Sequence, residues 1–284
     1  MDESTVNEIV KGNKPMETIT LANGTDIPVI GTGTNTYGKE DNQYNGELNG
    51  DFSALQTAIK AGYRLIDTAI SYRNEAGVGK TVYESGVDRS EFYLTTKIPA
   101  KEEYIGSKER VEQTILQSFE NLKTDYIDLY LIHHPIEDKD TLKQTWEVLE
   151  SFVDQGKIKS IGVSNFSIEQ LELLKTFARI QPVVNQIQSN PHTWNNELIE
   201  YLLKNDILPE AWSPLNKVNE EQTAKLTAIG EKYDKNWGQV LLRYQIQRGV
   251  AVIPKSHNSK HQAENLELFD FELSKDDLTV IESL

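Results

Sequence analysis

The chain has 284 residues, with 44 acidic against 29 basic side chains and a formal net charge of −15. Nucleic acids and anionic membrane surfaces are bound through clustered Lys and Arg, so this balance argues against either as a partner. There is no cysteine, which excludes disulfides, thiolate catalysis and Cys-ligated zinc.

Residues 1–15 are polar and acid-led, without the apolar stretch of a secretory signal. They are expected to form an extension ahead of one domain spanning 16–284. No apolar run approaches the roughly 18 residues of a membrane span, so a soluble, cytoplasmic protein is expected. Next come Glu17 to Leu21 and Asp26 to Ile30, flanking Ala22-Asn23-Gly24-Thr25. Asn and Gly both tolerate positive φ, so this pair predicts a hairpin.

From there short β-branched or aromatic runs alternate with amphipathic stretches. Strands are expected at Pro28 to Gly33, Arg64 to Thr68, Phe92 to Lys97 and Ile127 to His133, then at Ile158 to Ser164, Val183 to Gln186, Ile207 to Trp212 and Val250 to Pro254. Helical periodicity marks Lys108 to Leu122, Thr141 to Gln155, Ser167 to Phe177 and Gln222 to Tyr233, among others. Eight strand–helix units in roughly 250 residues predict an α/β fold, a (β/α)8 TIM barrel, with the hairpin closing its bottom. A doubly wound sheet is disfavoured: the Gly31-Thr32-Gly33 turn lacks the third glycine of a dinucleotide fingerprint.

In such a barrel the C-terminal ends of the strands converge on one mouth. Asp67, Lys97, His133 and Ser164-Asn165 stand at these ends, and Tyr72 follows Asp67 on the same loop. Each alone has a plainer reading, as a helix cap, a solvated cation or a packed ring. Together they address one problem, because a phenol with a pKa of about 10 yields its proton reluctantly at neutral pH. A nearby ammonium favours phenolate, and a carboxylate keeps that ammonium charged. Tyr72 is then a candidate general acid toward a carbonyl oxygen, with His133 holding that oxygen.

The segment Gly62-Tyr63-Arg64-Leu65-Ile66-Asp67-Thr68-Ala69, followed by Glu75 and Val78-Gly79, resembles the first signature of the aldo-keto reductase superfamily. The likeness continues in order through Leu131-Ile132-His133, Gly162-Val163-Ser164-Asn165-Phe166, Val184-Asn185-Gln186, Ser213-Pro214-Leu215, Ile253-Pro254-Lys255-Ser256, Glu264-Asn265 and Phe269-Asp270-Phe271-Glu272-Leu273-Ser274. It is closest in kind to bacterial members with a short C-terminal loop. The resemblance implies metal-free hydride transfer from NADPH to an aldehyde or ketone, with Asp67, Tyr72, Lys97 and His133 as the catalytic group and Tyr72 as proton donor. It also implies that Ser164, Asn165 and Gln186 hold the nicotinamide carboxamide while Trp212 stacks on the ring. By the same likeness Ser213 and Leu215 contact the pyrophosphate, Lys255 and Ser256 the 2′-phosphate, and Glu264 and Asn265 the adenine. Gly33, Thr34, Asn35 and Asp67 complete the cofactor side, and Tyr72, His133 and His134 face the substrate.

Several positions depart from the family pattern. His261 stands where an Arg often bridges the 2′-phosphate, which leaves NADH open as a second donor. His134, Asn35 and Ser189-Asn190 stand where aromatic walls are common, so a wetter, more permissive pocket is expected. The irregular stretch 35–50, with Tyr37 and Tyr44, offers either a replacement wall or a loose surface loop. Two rival expectations stand beside the reductase. One is a metallohydrolase using His133-His134 with Asp67 and Asp128, although adjacent residues of one strand point to opposite faces. The other is a nicotinamide-binding sensor with little turnover. A monomer or weak homodimer is expected.

Overall fold

The computed structural model describes residues 17–284, so the expected extension at 1–15 lies outside the described residues. Two short strands, β1 (Thr18–Thr20) and β2 (Asp26–Pro28), pair antiparallel around the Asn23-Gly24 turn, where Gly24 takes φ 84°. Eight more strands follow: β3 (Gly31–Gly33), β4 (Leu65–Asp67), β5 (Tyr93–Ile98), β6 (Ile127–Ile132), β7 (Ile158–Ser164), β8 (Val184–Gln188), β9 (Leu208–Trp212) and β10 (Ala251–Ile253). All neighbours pair parallel, in sequence order from β3 to β10. The ring closes through a parallel bridge between Ile30 and Val252, where the Val252 amide donates to the Val29 carbonyl at 2.8 Å. This is the (β/α)8 barrel expected, with helices between successive strands.

Alternation along the strands sorts the core into two layers. Outward residues such as Ile66, Leu94, Tyr130 and Ile132 pack against the surrounding helices. Inward residues Leu65, Tyr93, Leu129, Val184, Leu208 and Ala251 fill the lower barrel together with Leu21, Ile27 and the partly buried Ile19 of the hairpin. The Asn23 side chain, donating to Ser160 Oγ at 2.8 Å, fastens the hairpin to β7. It therefore closes the barrel bottom, as expected.

Moving up each strand, the same inward positions turn polar: Leu65 is followed by Asp67, Tyr93 by Thr95 and Lys97, Val184 by Gln186, and Leu208 by Glu210. The chemistry-bearing side chains thus share the pleat of the apolar core and stand on its upper surface.

Candidate active site

Lys97 is fully buried, and its ammonium has three N–H groups to satisfy. They go to Asp67 Oδ1 at 2.6 Å, the Thr68 carbonyl at 3.0 Å and the Tyr72 hydroxyl oxygen at 3.1 Å. Burial works against the charge on Lys97, but the Asp67 carboxylate and the Tyr72 oxygen outweigh it and raise the pKa. The Tyr72 oxygen accepts from Lys97, so its own proton is free for an acceptor in the cleft.

One expectation changes sign. Lys97 was expected to bring the Tyr72 phenol below its ordinary pKa, yet burial outweighs the ammonium and raises it. Tyr72 therefore stays protonated at neutral pH, with a cation in place to receive the phenolate once the proton leaves. His133 behaves oppositely, because burial, then Lys97 and His134, push its pKa down to about 2. A neutral imidazole can donate a hydrogen bond but has no extra proton to give.

Gln186 joins two carboxyl groups beneath this centre. Its Nε2 donates to Asp67 Oδ2 at 2.7 Å and to Glu210 Oε1 at 2.8 Å. Both amide hydrogens are then used, which leaves the Gln186 oxygen as acceptor. Glu210 has no solvent exposure, and burial followed by the nearby Asp67 pushes its pKa up to about 7. Nothing in residue type or spacing marks Glu210, whose inward position depends on the register that sets Gln186 opposite Glu210.

Asn165, in the left-handed region at φ 62°, ties three strand ends together. Its Nδ2 donates to the His133 carbonyl and to Ser164 Oγ, both at 3.1 Å, and its Oδ1 accepts from Trp212 Nε1 at 3.0 Å. The Trp212 ring is thereby oriented against the cleft.

A cavity of about 310 Å³ opens above these groups. Gly33, Thr34, Asn35, Asp67, Ser164, Asn165, Gln186, Trp212, Ser213, Leu215 and Lys255 line it, together with Tyr72, His133 and His134. Tyr44, Pro214, Asn216, Ile253 and Pro254 also line it; of these, only Tyr44 is expected there from the sequence. Ser256, His261, Glu264 and Asn265 stand apart from the lining. His261 is exposed on the helix Ser259–Asn265, Glu264 accepts from Asn236 Nδ2 at 2.9 Å, and Asn265 is buried.

Three further expectations are corrected. Strand β6 stops at Ile132, one residue early, so His133 and His134 do not diverge; their rings stack at 4.5 Å with 5° between planes. Ser189 and Asn190 are buried and do not line the cavity, Ser189 bonding the Trp194 carbonyl and the Arg248 guanidinium and Asn190 lying behind Ser213, whose carbonyl it bonds at 3.4 Å. Tyr37 is no wall either, since its ring is buried and its hydroxyl donates to the Ser256 carbonyl at 2.8 Å. Asp128, the second acid of the metal reading, pairs with Arg89 at 2.9 Å at the start of β6, away from the mouth. Among the described residues no three His, Cys, Asp or Glu side chains are grouped as metal ligands would be. No helix among them is long and apolar enough to cross a membrane.

Comparison with known proteins matches this architecture. The model of the aldo/keto reductase family matches residues 29–284. Glyoxal reductase of Bacillus subtilis (strain 168) is 41% identical, over 94% of this chain and 92% of its own. The crystal structure of an aldo/keto reductase from Brucella melitensis superposes with a TM-score of 0.86 at 39% identity, covering 95% of this chain and 99% of that one. That of a silkworm (Bombyx mori) aldo-keto reductase complexed with NADPH gives 0.85 at 32% identity, covering 95% and 88%.

Proposed function

Because the chain belongs to the aldo/keto reductase family, we propose that it reduces small aldehydes and ketones with NADPH, and that Tyr72 delivers the proton. The observation that carries this reading is the buried Lys97, bonded at once to Asp67 and Tyr72, beside a His133 whose pKa burial holds far below neutral.

The polar groups around the cleft suit the cofactor. A primary carboxamide brings two N–H groups, and the Gln186 side-chain oxygen, Ser164 Oγ and Asn165 Oδ1 offer acceptors for them. Trp212 supplies a flat face fixed by Asn165, and Lys255 an exposed cation at the cavity edge. When bound, NADPH supplies the hydride that reduces the carbonyl carbon. The residues do the rest. His133 donates a hydrogen bond to the carbonyl oxygen and orients it, Tyr72 passes its phenolic proton to that oxygen, and Lys97 stabilises the resulting phenolate while Asp67 keeps Lys97 charged. Ser256, His261, Glu264 and Asn265 belong to the far end of the same cofactor site in this reading. The single domain would run from 16 to 284.

Glyoxal is a natural first substrate, given the B. subtilis relative. Wild-type protein should oxidise NADPH in its presence, and Tyr72→Phe should lower kcat by at least about 100-fold while NADPH binding is kept. Full activity in Tyr72→Phe would remove Tyr72 as the donor. Cofactor binding without turnover across aldehydes and diketones would favour the sensor.

A further inference from the structure

Residues 35–50 form a tied loop over the mouth. The Glu40 amide donates to the Glu47 carbonyl at 2.8 Å, Asn49 to Gly38 at 2.9 Å, and Gly38 to Asp51 at 3.0 Å. Lys39 is only 2% exposed. Its ammonium donates to the Asn35 carbonyl at 2.8 Å and the Tyr44 carbonyl at 2.7 Å, and lies 4.6 Å from the centre of the Tyr44 ring. Arg73, the residue after Tyr72, donates to the same Tyr44 carbonyl at 3.3 Å and to Gly46 at 2.8 Å.

Burying an ammonium is costly unless other groups replace its water. Here two carbonyls and a ring do so in part: burial, then Arg73 and Lys255, draw the Lys39 pKa down to about 8, which keeps it largely charged at neutral pH, and Tyr44 is held by cations at both its backbone and its side chain. Its ring remains 41% exposed at the cavity edge. It stands edge-on to Tyr72 at 5.9 Å, Tyr72 stands edge-on to His133 at 5.7 Å, and His133 stacks on His134. Four rings therefore form a row that includes both groups aimed at the carbonyl oxygen.

We propose that Tyr44, fixed by Lys39 and Arg73, is the wall on which a flat apolar substituent of the substrate packs, so that the enzyme selects aryl aldehydes and ketones over the smallest carbonyls. The inference rests on the carbonyl-reductase reading. The clamp makes Tyr44 a preformed surface, so little ordering cost is met on binding. Lys39 and Arg73 are positioning residues, and Tyr44 sets specificity.

The test compares kcat and KM for para-nitrobenzaldehyde and methylglyoxal with NADPH. In Tyr44→Ala, KM for the aryl aldehyde should rise about 10-fold relative to the methylglyoxal KM, with the difference carried by KM rather than kcat. Tyr44→Phe should keep the wild-type ratio, and Lys39→Met should repeat the alanine effect in weaker form. An equal change for both substrates, a fall confined to kcat, or no change overturns the proposal. Binding of benzamide to the protein with NADP⁺ reads the same contact without turnover. Its Kd should weaken by about 10-fold in Tyr44→Ala, and an unchanged Kd also overturns the proposal. Absence of wild-type turnover with this benzamide difference intact would sink the reductase reading and leave the wall standing.

Discussion

In the proposed reaction Tyr72 and His133 divide two tasks that a single titrating histidine could otherwise combine, and the division rests on burial. Burial raises the Tyr72 pKa, so the phenol keeps its proton, and it pushes His133 down to about 2, so the imidazole stays neutral. Reduction needs the protonated phenol, and raising its pKa extends that form upward in pH. The expected kcat for reduction is therefore level between about pH 5 and 8, where a free histidine would titrate, and falls only on the alkaline side. Glu210, pushed up to about 7, titrates in the same window, so the profile is also measured in Glu210→Gln. A histidine-like break that survives this substitution would return the proton to His133. At this scale the sequence was legible for the placement of Asp67, Lys97 and His133 at or just past strand ends, and of Tyr72 on the loop that follows β4. Glu210 and Lys39 escaped it, because nothing in residue type or spacing says that a lone acid or lysine is buried.

Elements were legible where periodicity ran long. The helix Lys108–Leu122 has the bounds its pattern predicts, with Ser107 capping it through the Arg110 amide. Its partner is the helix Glu75–Glu84, and Gly79 sits where the two backbones meet. A Cβ at Gly79 would stand 2.3 Å from the Asn121 carbonyl oxygen and 2.6 Å from Leu122 Cα. Backbone cannot swing aside as a side chain can, so Gly79→Ala should lower stability by about 1–3 kcal/mol, read as a lower urea midpoint at unchanged slope. An unchanged midpoint would mean the helices separate freely. The loop 35–50 has no period to read. Its order comes from the buried Lys39 within the loop and from Arg73 and the docking of Thr36 on His257 and of Tyr37 on Ser256, the latter contacts made with segments distant in sequence. The same holds for Ser189, which was expected at the pocket and instead bonds to Arg248.

Over the whole molecule, function is gathered at one end of the barrel and closure at the other. Asn23→Ala removes the hairpin's bonds to Ser160 Oγ and the Lys159 carbonyl. It should cost about 1–2 kcal/mol of stability with kcat unchanged, checked by denaturation and steady-state assay side by side; a large fall in kcat would mean that the plug sets the geometry of the mouth. The net charge of −15 also takes on a location. Cations are few, yet Lys97, Lys39, Arg73 and Lys255 lie in or beside the cleft, so the acidic total and an anionic cofactor are compatible. Sequence alone determined the barrel and the residues at its mouth, because strand alternation, eight repeated units and strand-end polarity are local properties of the chain. Only the tertiary structure decided which proton is held, which ring stands at the cavity edge and which polar residue is buried. Burial, register and cation placement are set by segments far apart in sequence, and no local pattern encodes them.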